Sequence, residues 1–189
     1  MVEWLFVPVA YLIGSISSAI IICRLMGLPD PREQGSGNPG ATNVMRIGGK
    51  KAAAITLLGD MLKGLIPVYA AKVAGFPIEL VAATGLAAFM GHLYPILFGF
   101  KGGKGVATSV GVLLGFSWAL GFAFMLTWFL VYKLGKISSL SALVASILSP
   151  AFAWFIVGDK AYLTASIVMM IFLLWRHKSN IQRLLAGEE

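Results

Sequence analysis

The sequence predicts an all-α fold, a polytopic integral membrane bundle of seven transmembrane helices with the N-terminus outside and the C-terminus cytoplasmic. Three observations predict it. Of 189 residues, 58% are hydrophobic and 12% charged, with a mean hydropathy of +0.86, whereas an ordinary soluble domain is about 25% charged. Apolar runs of bilayer-crossing length alternate with short polar segments. Basic residues gather in every second one of those segments. The length suits one bundle, so residues 1–189 are expected to form a single domain.

The first run is uncharged from Trp4 to Cys23, about the 20 residues a span needs. It opens Met1-Val2-Glu3 without a basic flank, so it reads as a permanent helix (about 4–24) and not as a cleaved signal. A polar loop from Gly27 to Asn43 precedes a second helix (about 50–73) that carries Asp60 and Lys63 and ends at the Gly75-Phe76-Pro77 turn. A third helix covers about 79–97. As a single helix, the uncharged stretch Gly105–Tyr132 of about 28 residues would extend about 42 Å, well beyond a core of about 30 Å. Two short helices meeting near Phe116–Leu120 are the alternative, with Gly115 and Ser117 offering a break. A sixth helix (about 138–157), the Gly158-Asp159-Lys160 turn and a seventh helix (about 161–178) complete the bundle.

Charge decides between six crossings and seven. Seven places Arg24, Arg32, Arg46, Lys50, Lys51, Lys101, Lys104, Lys133, Lys136, Arg176, Lys178 and Arg183 inside, and only Lys72 and Lys160 outside. Six would turn Lys133, Lys136 and the basic tail outward. Trp4, Trp118, Trp154 and Trp175 fall near predicted helix ends, as interfacial anchors do.

The net charge of +7 lies in short loops and forms no continuous basic face, which excludes nucleic acid as a partner. The lone cysteine, Cys23, excludes an internal disulfide and reads as a small packed hydrophobe. His92 and His177 lack any H-x-x-x-H or H-E-x-x-H partner, so no metal and no cofactor are expected.

Three polar motifs carry the chemistry, all on the cytoplasmic face by parity. In GSGNPGATN, Gly35, Gly37 and Gly40 allow close backbone approach to an anion, Pro39 stiffens the turn, and Ser36, Asn38, Thr42 and Asn43 add polar groups. Thr42 or Asn43 is a candidate cap for the next helix. The competing reading is a flexible linker. In GFKGGKGVATS, Lys101 and Lys104 straddle Gly102-Gly103. This is not a nucleotide-binding P-loop, because Phe98 and Gly105 break the G-x-x-x-x-G-K-[ST] pattern; the alternative is an anchoring basic loop. In RHKSNIQR, His177 and Asn180 are three apart near the end of the last helix and share a face, as a site pair or as an interfacial cap. A fourth polar stretch, Ser138-Ser139-Leu140-Ser141, faces the same side. Asp60 and Lys63, at i, i+3 inside a span, are either a neutralising pair or part of the site.

Taken together, GSGNPGATNV with Arg46 following, LLGDMLKG, GHLYPILFGFKGGKGVAT, SSLSALVA and RHKSNIQRLLAGEE closely resemble the bacterial acyl-phosphate-dependent glycerol-3-phosphate acyltransferases, the PlsY family. The resemblance covers nearly the whole chain. It implies an inner-membrane enzyme that transfers a fatty acyl group from acyl phosphate to glycerol 3-phosphate, the first step of phospholipid synthesis, with membrane lipid around it and a monomer expected. The implied site has Ser36, Arg46, Lys104, His177 and Asn180 as catalytic groups. Gly35, Gly37, Asn38, Thr42, Asn43, Lys101, Gly102, Gly103, Ser139 and Ser141 join Ser36, Arg46 and Lys104 around phosphate. The residues agree with electrostatic positioning rather than an acid–base dyad, since the H-x-x-x-x-D spacing meets Leu97 after His92 and Gln182 after His177. A small phosphate transporter and a structural membrane subunit are the rival readings. The one-sided glycine motifs and the odd span count argue against the first. The paired glycine-lysine motifs argue against the second.

Overall fold

The computed structural model describes residues 2–189, and every regular element among them is helical. A short 3₁₀ turn, Val2–Leu5, leads into α1 (Phe6–Gly14) and α2 (Ser18–Leu25). These correct the single first helix expected from the sequence. The two halves are bent by 41° at Ser15–Ser17. Ser15 Oγ bonds back to the Tyr11 carbonyl at 2.8 Å, and Ser17 is extended (φ −85°, ψ 97°), so hydroxyl groups compete with the helix for its own backbone.

The second expected helix starts earlier than the apolar pattern suggests. α3 runs Ala41–Val73 but is kinked at Gly49 (φ 74°, ψ −172°), which divides it into 41–48 and 50–73. Glycine alone accepts that geometry readily. The first of these pieces carries Arg46 out to the loop end of the bundle. α4 (Ile78–Leu93) is followed by a 3₁₀ turn at Ile96–Phe98. The long uncharged stretch is indeed two helices, α5 (Val106–Phe116) and α6 (Trp118–Gly135), broken at an extended Ser117. α7 (Ser138–Phe152) ends in a π-turn at Ala153–Val157, and α8 (Lys160–Arg176) is capped by Asp159, whose carboxylate accepts from the Ala161 N–H at 2.8 Å. The tail does not continue the last span. It turns at His177 into a separate helix, α9 (Lys178–Ala186).

Four of these helices have the length and apolarity of a membrane span, and the bent α1–α2 pair makes a fifth. α5 has only 11 residues, about 16 Å of helix and about half of a hydrocarbon core. It is sheathed by the others: Val110, Val112, Leu113, Leu114 and Phe116 are all buried. Its tightest neighbour is α3, where Gly64 and Gly111 bring the two backbones so close that a Cβ on either would collide with a carbonyl opposite. Small residues give this intimacy in membrane bundles.

The helices alternate between two ends. At one end Lys72 Nζ donates to the Phe116 carbonyl at 2.9 Å, Phe6 meets Phe76 edge-on at 4.7 Å, and Phe116 stacks on Tyr162 at 4.2 Å. At the other end all the polar motifs converge.

Candidate functional site

The GSGNPGATN loop is organised from within by Asn43. Its Oδ1 accepts the Ser36 N–H at 2.9 Å, while Nδ2 donates to the carbonyls of Pro31 (2.8 Å) and Gln34 (2.9 Å). The side chain is 1% exposed and has spent its hydrogen bonds on the loop, so Asn43 shapes the backbone that surrounds Ser36. Neither Thr42 nor Asn43 caps α3, whose N-cap is Gly40 with no side-chain bond. Thr42 instead reaches across to Ser138 (Oγ1–Oγ 3.5 Å), linking the first motif to the serine stretch.

The lysine loop is held from below and from the side. Gly103 N–H donates to the His92 carbonyl at 3.2 Å, and Arg176 holds the carbonyls of Gly102 (Nη2, 2.7 Å) and Gly103 (Nε, 3.2 Å). Arg176 is therefore a brace for the loop, with its guanidinium also 5.7 Å from the Tyr94 ring centroid. Lys104, thus presented, donates to Asn180 Oδ1.

His177 sits between α8 and α9, 3% exposed. It shares the cleft with Asn180, but from the hinge and not from one continuous last span. Its Nδ1 lies 2.8 Å from the Leu173 carbonyl. A carbonyl only accepts, so Nδ1 carries the proton and Nε2 holds the lone pair. Burial, opposed by that hydrogen bond and reinforced by Lys104, brings the pKa down to about 4. The ring is neutral at physiological pH.

A residue the motif reading passed over closes the site. The Glu189 carboxylate accepts from Ser139 Oγ (2.6 Å) and Asn180 Nδ2 (2.5 Å) through Oε1, and from Arg183 Nε (2.6 Å) through Oε2. Only the assembled fold brings these groups together.

Between these loops lies a cleft of about 950 Å³ with two contrasting walls. Ser36, Arg46, Lys104, Ser139, His177, Asn180 and Arg183 line its polar end, and Gly35, Asn38, Thr42 and Asn43 join them. Leu57, Met61, Val106, Val110, Phe124, Met125 and Trp128 line the rest. Gly37, Lys101, Gly102, Gly103 and Ser141 are not on the wall. Lys101 is exposed to the outside of the loop, and Ser141 Oγ turns back to the Ile137 carbonyl at 2.9 Å. Gly102 and Gly103 hold the backbone just before Lys104 through their bonds to Arg176 and the His92 carbonyl. Electrostatically the cleft carries four cations, Arg46, Lys104, Lys136 and Arg183, against the carboxylates of Asp60, Glu188 and Glu189. Lys104 is depressed in pKa, first by desolvation and then by Arg183, Arg176 and Arg46, with the Glu189 carboxylate opposing them. Such a site favours an incoming anion. Among the described residues no group of three or more His, Cys, Asp or Glu side chains is arranged to hold a metal ion.

A helical membrane bundle with a cleft that is cationic at one end and apolar along its length defines a protein for amphiphilic anions. Comparison gives that class its family. Residues 4–187 match the family model for glycerol-3-phosphate acyltransferase. The glycerol-3-phosphate acyltransferase of Methylococcus capsulatus is 57% identical over 100% of this chain and 95% of its own length, and that of Hydrogenovibrio crunogenus is 58% identical over 95% and 87%. Two crystal structures of PlsY (YgiH), an integral membrane glycerol 3-phosphate acyltransferase, share the fold. Its glycerol 3-phosphate form has a TM-score of 0.94 at 39% identity, and its lysophosphatidic acid form 0.93 at 38%, each over 100% of this chain and 94% of the neighbour. The chain belongs to the glycerol-3-phosphate acyltransferase family and is an integral membrane enzyme. The transporter and structural-subunit readings fall away.

Proposed function

We propose that the enzyme transfers a fatty acyl group from acyl phosphate to glycerol 3-phosphate, yielding 1-acylglycerol 3-phosphate and inorganic phosphate. The observation that carries this reading is the cleft's division into a cationic end and an apolar wall. One end suits phosphate groups, the other an acyl chain. Lys104, Arg46 and Arg183, with the Ser36 loop, hold the phosphates; Leu57, Met61, Phe124 and Trp128 flank the chain. The free hydroxyl oxygen at glycerol C1 attacks the acyl carbon, a new C–O ester bond forms, and the bond from that carbon to the phosphate oxygen breaks. The hydroxyl proton ends on the departing phosphate. Phosphate esters take up a proton near pH 6, so phosphate is a better acceptor than an imidazole with a pKa of about 4. Asn180 and His177 orient the hydroxyl and the acyl carbonyl. The rate then comes from positioning and from cations aimed at developing charge.

The substrates set the place of the reaction. One is soluble and the other lies in the bilayer, so the site works at the membrane surface. The basic loops support a cytoplasmic face, seven crossings with the N-terminus outside, and the bacterial inner membrane as the location. A single domain acting as a monomer suffices.

Purified protein in detergent, given glycerol 3-phosphate and either acyl phosphate or acyl-CoA, tests the donor by phosphate release and by acylated product. Turnover with acyl phosphate alone is expected. A thiolate leaving group asks for acid–base help that this cleft, without an H-x-x-x-x-D dyad, does not supply. Robust turnover of acyl-CoA in the absence of any acyl-phosphate-forming activity would overturn the assignment.

A further inference from the structure

Beneath the lysine loop lie three ionisable side chains that no step of this reaction uses. Asp60 and Lys63 face each other one helical turn apart on α3, with Oδ1 and Nζ 2.8 Å apart and exposures of 2% and 6%. Lys63 Nζ also donates, at 2.8 Å, to the Ile16 carbonyl that the break between α1 and α2 sets free. His92, in the last turn of α4, is 6% exposed, and its Nδ1 has no hydrogen-bond partner among the described residues. It faces Asp60 Oδ1 at 3.6 Å. Both Asp60 and His92 reach the cleft wall. Replacing a buried ion pair by well-packed apolar side chains is often neutral or stabilising. Fold stability therefore gives little reason for this arrangement.

Its geometry gives a reason. The imidazole Nε2 lies against Gly103 so closely that a Cβ there has no room, and the His92 carbonyl holds the Gly103 N–H. Lys104 is the next residue. We propose that Asp60 and His92 are positioning residues for Lys104: Lys63 fixes the Asp60 carboxylate, Asp60 orients the imidazole, and the imidazole sets the height of the loop that delivers the Lys104 ammonium. The proposal rests on the reading above that Lys104 holds a substrate phosphate. The 3.6 Å gap exceeds a hydrogen bond, so Asp60 orients the ring by the pull of its carboxylate at close range.

Inorganic phosphate is the probe, and its affinity is read from the rise in unfolding temperature of the full chain with phosphate concentration. His92→Gln keeps a group under Gly103 and loses the one facing Asp60; His92→Asn does the reverse. Each is expected to weaken phosphate about 5- to 30-fold, the range of coupling between groups in one network. In a Lys104→Ala background either change is expected to add no more than about twofold, because its effect runs through the lysine. Losses that multiply fully in the double variants would overturn the proposal, as would wild-type affinity in both single ones. Asp60→Asn, nearly isosteric, reads the same coupling if an imidazole replacement does not fold. A wild-type protein that binds phosphate but transfers no acyl group refutes the acyl-transfer reading and leaves this cycle readable. Phosphate binding that Lys104→Ala does not weaken refutes the positioning role itself.

Discussion

Lys104 and Asn180, 76 positions apart, are joined directly: the lysine ammonium donates to the asparagine Oδ1, while the same amide's Nδ2 donates to Glu189. The second glycine motif and the C-terminal motif are thus one unit at the cleft. If Lys104 holds phosphate as proposed, the arriving anion meets a lysine whose other partner is a neutral carbonyl oxygen, and exchanging that for an oxyanion strengthens the bond.

Removing Lys104 is therefore expected to cost activity and not the fold. One charged hydrogen bond is worth about 1.5–3 kcal/mol, or about 10- to 150-fold in the constant it serves. Lys104→Ala should lower kcat/KM for glycerol 3-phosphate by that factor, with Arg46→Ala falling at the lower end because Arg46 is more exposed. Steady-state rates across a range of glycerol 3-phosphate, beside thermal unfolding of each variant, measure both. Near-normal kinetics in the two alanine variants would move the phosphate site elsewhere.

The tail clasp has its own pH signature. Partial burial works to raise the Glu189 pKa, but hydrogen bonds from Ser139, Arg183 and Asn180 overcome it and hold the carboxyl at about 2, against an ordinary 4.5. A carboxylate depressed on folding contributes stability above its unfolded pKa and loses it as pH falls through the folded one. Docking of α9 should thus be constant above pH 4.5 and weaken progressively toward pH 2. Glu189→Gln should speed amide exchange in α9 at neutral pH and remove this part of the acid dependence. Unaltered exchange in Lys178–Ala186 would show that the helix is held by its apolar contacts alone.

Much of this was legible in the sequence. The break near Ser117 was one of two readings of a long uncharged run with Gly115 and Ser117 inside it, and the charge of the flanking loops favoured it. Convergence of the glycine motifs follows from parity. The break at Ser15–Ser17 was signalled only by hydroxyls, which helices also tolerate when they bond back to the preceding turn. The Asn43 brace looked like an exposed ligand because an amide in a glycine-rich loop serves either purpose. Glu189 was unreadable as a site neighbour, and His92, at the end of a span, reads equally as an interfacial cap or a site residue. His92 faces Asp60 on α3 and Glu189 reaches Ser139 on α7, contacts across the bundle that spacing along one helix does not encode, while Asn180 and Arg183 meet Glu189 only because the chain turns back after α9.

Topology is testable without activity. The basic residues Lys101, Lys104, Lys136, Arg176 and Arg183 lie at one end of the bundle and Lys72 and Lys160 belong to the other, and the positive-inside rule then predicts a cytoplasmic motif end. In a background where Cys23 is replaced, a cysteine at position 187 should resist an impermeant thiol reagent added to intact cells, and one at position 75 should react. The reverse pattern would invert the protein in the membrane and put the cleft outside.

The hinge between α8 and α9 separates positioning from proton transfer. His177 has its Nδ1 proton committed to Leu173 and a pKa of about 4, so between pH 6 and 8 it stays neutral and its charge cannot change. Activity should show no inflection that belongs to this ring, and any step near pH 6 should be the second ionisation of the phosphate substrates, persisting in the variant. His177→Asn, which keeps a hydrogen-bonding group near Nδ1, should retain a measurable fraction of kcat with the same pH profile. Asn180→Ala should be worse. It removes the acceptor for Lys104 and the donor to Glu189 together, so kcat is expected to fall about 10- to 150-fold, on the scale of a lost charged hydrogen bond, while KM for glycerol 3-phosphate changes less. Pairing the two tests the linkage: Lys104→Ala with Asn180→Ala should lose less than the product of the single losses, because the residues act as a unit. A pH step abolished by His177→Asn would make the imidazole the base. An Asn180→Ala enzyme with unchanged kcat would leave that residue as a structural tie between the lysine loop and the tail.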